Sequence, residues 1–135
     1  MKKIDWKILH THNQNEQKEL IDKYDSFVYL AMDTGPTNYI KLGTSISPWK
    51  HMKDYYSAGT LVPHPYYIRE VWGFKGIAAR PFEGILHGMY KHNNVRKEFF
   101  DFGKEIKITD IINEISDFYE SYLNSNYQTK LFPIK

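Results

Sequence analysis

The sequence predicts a small mixed α+β domain with an antiparallel strand pair at its centre. Three observations carry that expectation. The elements run helix, hairpin, helix, strand, helix, short strand, helix. Of 135 residues, 41% are hydrophobic and none is cysteine. Eleven Tyr, eight Phe and three Trp supply bulky side chains for one core. A chain of this length buries roughly two-thirds of its unfolded surface, so folding needs neither disulfide nor metal. There is no internal repeat, low-complexity tract or linker, and residues 1–135 are expected to form a single domain.

Each element has a local reason. Residues 14–24 are polar and helix-favouring, with Leu20, Ile21 and Tyr24 as a thin apolar stripe, which predicts a short surface helix. SFVYLAM (26–32) has the composition of a buried strand, DTGPTN (33–38) is a cluster of turn formers, and YIKLG (39–43) is a second strand stopped by Gly43, so the three read as a β-hairpin. Ser47 is an N-cap candidate and Pro48 suits the first helical position. Trp49, Met52 and Tyr56 then recur at helical spacing until Gly59. YYIREVWGF (66–74) is aromatic and β-branched enough for a third strand.

Pro81 opens a further helix in which Phe82, Ile85, Leu86, Met89 and Tyr90 form one apolar stripe, expected to be core. KEFFDF (97–102) reads as a short strand or sheet edge. The last helix is expected at about 109–124, capped by Thr109, with Ile111, Ile112, Ile115, Phe118, Tyr119 and Tyr122 on one stripe and an irregular tail after Asn124. That stripe is expected to cover the domain's own core, with pairing to a second copy as the alternative.

The net charge is only +2, but its distribution is uneven. Lys41, Lys50 and Lys53 stand without an acid in 41–53, and Lys75, Arg80, Lys91, Arg96 and Lys97 face Glu83 alone in 75–97. Brought together, these segments make a basic face suited to a phosphate-bearing partner; left apart, they merely solvate surfaces. The longest apolar run, Phe27 to Met32, is far short of the ~20 residues of a membrane span. Asp5 and Lys7 interrupt any signal-peptide core after Met1-Lys2-Lys3. No membrane association and an intracellular, cytoplasmic setting are therefore expected.

Alternation along a strand puts Tyr39 and Lys41 on one face of the second hairpin strand, with Tyr29 on the first. On the helix opened by Pro81, Glu83, His87 and Tyr90 fall at i, i+4 and i+7. By itself a Glu–His pair at this spacing is a common solvated pair.

Taken in order, these segments resemble the GIY-YIG nuclease superfamily. FVY at 27–29 resembles its first signature tripeptide. KLG at 41–43 resembles the second, in the form with Lys for Tyr found in a short branch common in phages and large DNA viruses. GTSISPWKH resembles the stretch leading into the first helix. FEGILHGMYKHNNVRKEFF resembles that branch's helix, with Glu followed four residues later by His and then an acidic-aromatic-Phe ending. The likeness spans about 26–103, leaving 1–25 as an N-terminal extension. It implies a central antiparallel three-stranded sheet flanked by helices.

The resemblance also implies hydrolysis of DNA phosphodiester bonds with one divalent cation. The Glu at position 83 would ligate Mg²⁺ or Mn²⁺, as a hard oxygen donor that leaves room for water and phosphate. Tyr29 would activate or orient the attacking water, Lys41 would help to frame it, and Tyr55 would support it by hydrogen bonding. Tyr39 and His87 are supporting candidates. The departure is His51, where the family usually carries an Arg on the scissile phosphate. A histidine, even beside Lys50, does not reproduce a bidentate guanidinium, and losing such a clamp costs on the order of 10² to 10³ in rate. Lys50 and Arg80 are the candidate substitutes for phosphate binding. With no appended DNA-binding domain, a nuclease of this size is expected to have low sequence specificity.

The alternative from a different class is a catalytically inactive module of the same fold that binds nucleic acid or a protein partner. A third reading is a structural or regulatory protein, with the basic segments apart. Other chemistry is poorly represented. His10 and His12 lack a third ligand nearby, and there is no phosphate loop, dinucleotide fingerprint or cysteine.

Overall fold

Asn13 opens the first helix, α1 (Gln14–Lys23), with a capping box. Its side chain accepts from the Glu16 N–H at 2.9 Å, and Glu16 Oε1 accepts from the Asn13 N–H at 3.2 Å, which satisfies two donors that a helix start leaves unpaired. No residue of α1 is buried, although Leu20 packs against the core. The structure, a computed structural model, describes residues 11–33, 39–51, 66–103 and 105–131. The chain forms two compact units, Met1–Gly103 and Lys104–Lys135.

Strand β1 (Ser26–Asp33) follows. Phe27, Val28, Tyr29, Leu30 and Ala31 are all buried, so both faces of this strand are covered, and its apolar run is continuous rather than alternating. It pairs antiparallel with β2 (Tyr39–Ser45) and with β3 (Tyr66–Phe74), placing Tyr29 opposite Gly43 and Val71. Gly43 does not end β2 as expected, because Thr44 and Ser45 keep pairing with Val28 and Phe27. At Gly73 the ring of Tyr24 lies where a β-carbon would be, which docks the end of α1 on the sheet. The expected turn at 34–38 lies outside the described residues.

Among the described residues the sheet has five strands, not three, in the order β3-β1-β2-β5-β4. The segment read as a short strand or edge is half of a second hairpin, β4 (Asn94–Arg96) and β5 (Phe99–Asp101), whose β5 pairs Phe99 with Lys41 and Phe100 with Ile40. Phe100 is fully buried, and its burial gives so short a ribbon its anchor.

Residues 48–51 are helical after Ser47, whose carbonyl accepts from the His51 N–H at 3.0 Å. The expected continuation through Met52 and Tyr56 to Gly59 lies outside the described residues. Helix α2 (Arg80–Met89) has Pro81 in its first turn. Of its apolar stripe only Phe82, Leu86 and Tyr90 are buried; Phe82 meets Phe74 at 5.5 Å and Tyr90 meets Phe102 at 5.1 Å between ring centres. Ile85 and Met89 are 39% and 43% exposed, contrary to expectation. The i, i+4, i+8 row makes the contact, and the neighbouring row falls beyond it.

In the second unit, helix α3 spans Ile108–Leu131. Thr109 is thus inside the helix rather than its cap, and the chain expected to be irregular after Asn124 stays helical to Leu131, because no Gly or Pro follows Thr109 before Pro133. Among the described residues no helix is long and apolar enough to cross a membrane.

Candidate active site

Tyr29, Lys41, Glu83, His87 and His51 converge around Gly43, and Glu98 joins them. Tyr29 is buried, and its phenol crosses the glycine. A β-carbon on residue 43 would lie 2.6 Å from the hydroxyl oxygen, 2.7 Å from Cζ and 3.1 Å from Glu98 Oε2. No other residue type fits there without displacing a buried ring or a carboxylate. The His51 ring stands 6.3 Å from the Tyr29 ring, carried by the helical turn after Pro48.

Lys41 projects from β2 beneath the same group. Its Nζ is 3.7 Å from Glu98 Oε2, 5.7 Å from the Tyr29 ring centre and 5.9 Å from that of Phe99. Its side chain is only 11% exposed, and burial pushes the ammonium below the ordinary lysine range, while the charges of Glu98 and Glu83 hold it up. Glu98 owes its position to the β4–β5 turn, in which Lys97 takes a positive φ of 49° and the Glu98 carbonyl accepts from the Leu42 N–H at 2.9 Å.

Glu83 sits in the first turn of α2. Burial pushes its carboxyl above the ordinary glutamate range, and Glu98 adds to the rise, against smaller opposing pulls from His87, the Thr44 side chain and Arg80. Among the described residues its Oε2 is buried without a hydrogen-bond partner. His87 Nε2 lies 3.0 Å from the Leu42 carbonyl and 3.9 Å from Glu83 Oε1. A carbonyl only accepts, so Nε2 carries the hydrogen and is spent on the backbone. His87 therefore pins α2 to β2 beside Gly43, and the pair is half-buried rather than solvated.

The remaining candidates are peripheral. Arg80 is exposed and reaches Glu83 only through its charge. Lys50 is exposed and makes no contact with the cluster among the described residues. Tyr55 lies outside the described residues. Tyr90 is buried against Phe102, away from the role its spacing to Glu83 suggested. His12 packs on Trp49 at 5.6 Å, with Nε2 3.8 Å from Glu70.

Tyr39 shares a groove of about 610 Å³ with Lys41, Val95, Arg96, Lys97, Glu98 and Phe99. Lysines and arginines of the two basic segments thus do meet, at Lys41, Arg96 and Lys97. The arrangement offers a desolvated carboxylate, a buried phenol beside a cation, and a basic groove that reaches Lys41 and Glu98. No family model, curated protein or solved structure matches the chain.

Proposed function

We propose that this protein is a divalent-metal-dependent DNA endonuclease of the GIY-YIG type, with low sequence preference. The observation that carries the reading is the meeting of Tyr29, Lys41 and Glu83 at Gly43, the residues that the motif resemblance singles out, together with the unsatisfied Glu83 Oε2. A buried carboxylate oxygen with no partner costs about 1–3 kcal/mol, a cost that a cation removes. One such carboxylate suits Mg²⁺ or Mn²⁺, which keep most of their water and take the rest of their ligands from phosphate. Bound there, the cation would stabilise the charge that develops on the leaving oxygen.

The chain's own groups supply the rest. A phenol with a pKa near ~10 is a weak base, so Tyr29 orients the attacking water by hydrogen bonding, with the Lys41 ammonium 5.7 Å from its ring centre. His51, beside Tyr29, donates one hydrogen bond to the phosphate, and Arg80 adds charge from the start of α2. His87 holds Glu83's helix in register with β2.

Purified protein incubated with supercoiled plasmid at low salt in Mn²⁺ or Mg²⁺ should nick it, and Glu83→Ala or EDTA should abolish the nicking. A second reading is favoured by His51, which lacks a guanidinium's paired donors: a non-catalytic module that binds nucleic acid. Plasmid left intact, with salt-sensitive retention that survives Glu83→Ala, selects it.

A further inference from the structure

We propose that the groove between Tyr39 and the β4–β5 hairpin seats an unpaired nucleotide of single-stranded DNA, its base against Tyr39 and Phe99 and its phosphate on Arg96 and Lys97. The inference rests on the endonuclease reading, since the groove runs up to Lys41 and Glu98. It names the form of substrate that the site takes.

The volume, about 610 Å³, falls within the ~300–1,000 Å³ of pockets that hold compact organic ligands. Lys41 and Glu98 pair with each other across 3.7 Å, so the surplus charge of the lining is the positive charge of Arg96 and Lys97, both exposed. The same groove is lined by an aromatic residue still 36% exposed, Tyr39, and by Val95, 52% exposed. Cations that track phosphates beside aromatic surface for bases are what a single strand needs. A duplex keeps its base faces stacked inside, and an acidic peptide has no use for the ring.

The hairpin adds an independent observation. Lys97 occupies the left-handed region, φ 49°, where Gly or Asn fits at lower cost. The turn is pinned nonetheless, by the Asn94 amide donating to the carbonyls of Lys97 at 2.8 Å and Phe99 at 3.2 Å. A long cation thus stands at a backbone position better suited to glycine, fixed at the rim of the groove. Strain of this kind collects where a side chain is used.

The test is fluorescence anisotropy of labelled octathymidylate with the full chain in EDTA, where no cutting intervenes. Tyr39→Leu should weaken binding about tenfold, the scale of one lost stacking contact, whereas Tyr39→Phe should bind like the parent. Lys97→Gly, which relieves the backbone, should melt no lower than the parent, bind more weakly, and reduce the slope of log K against log salt by about 0.7. The proposal is overturned if the parent does not bind octathymidylate, or if Tyr39→Leu and Lys97→Gly bind as the parent does. It is equally overturned if a duplex of the same length binds as tightly, or if polyglutamate displaces the oligonucleotide. Tyr39-dependent binding without plasmid nicking in Mn²⁺ would keep the groove and remove the reaction.

Discussion

The phenol of Tyr29 lies across Gly43, its partner in the β1–β2 ladder, so closely that any side chain at 43 would meet the hydroxyl. Tyr29 has nowhere to retreat, being buried on a strand covered on both faces. Gly43→Ala should therefore destabilise the fold by about 1–3 kcal/mol, the usual cost of overpacking, read as a lower urea midpoint. In a Tyr29→Leu background the same change should cost less. Equal costs in both backgrounds would show that the ring is not the obstacle.

Two other glycines should behave in the opposite way. Gly84 and Gly88 lie inside α2, and a β-carbon at either meets nothing within 4 Å. Gly84→Ala and Gly88→Ala should each stabilise the chain by about 0.5–1 kcal/mol, because the unfolded chain loses freedom that the helix never used. Urea melts of the two variants check this, and a loss of stability in either would reveal a contact made by the glycine itself.

Glu83 should make stability fall as pH rises. Its folded carboxyl holds its proton to higher pH than the unfolded one, so between the ordinary value near ~4.3 and the raised one the folded state binds more protons. Glu83→Gln removes the charged form and should melt about 2–4 °C above the parent at pH 7. The gap should close below the ordinary glutamate value. Thermal melts across pH test this, and a gap that does not change with pH would assign the effect to packing instead.

Glu98 links the two shifted groups. Its carboxylate pushes Glu83 up and holds Lys41 up, so Glu98→Gln should lower the titration midpoints of both. Carbon-detected NMR of the Glu83 carboxyl and of the Lys41 ε-carbon, without metal, would follow the two midpoints. Movement of Lys41 alone would mean that Glu98 does not reach Glu83.

Much of the fold was legible because local chemistry and tertiary position agree. YYIREVWGF forms a strand with the expected limits, and Pro81 starts α2 where its fixed φ suits a first turn. The sequence misleads where the outcome depends on a neighbour. Ile85 and Met89 share the helical period of Leu86, but only packing decides which row meets the sheet. Motif order singles out Tyr29, Lys41 and Glu83, and the fold brings the three together at Gly43. Glu98 stands in the acidic-aromatic-Phe ending, but nothing in the sequence marks its role, because its reach to Lys41 depends on a turn with a left-handed lysine. The crossing of Tyr29 over Gly43 was equally hidden, since spacing reveals which residues share a face but not where a ring comes to rest.

Strand β4 closes one end of the sheet with three exposed residues, Asn94–Arg96, followed at once by Lys97. An open strand edge invites a second chain to add its own strand, and short length with bordering charge discourages it. Arg96 and Lys97 therefore repel strand addition at the very rim where a polyanion would be held. On the single-strand proposal, solubility and capture of the polymer would draw on one pair of cations, and a variant stripped of both would lose binding through aggregation as well as through lost charge.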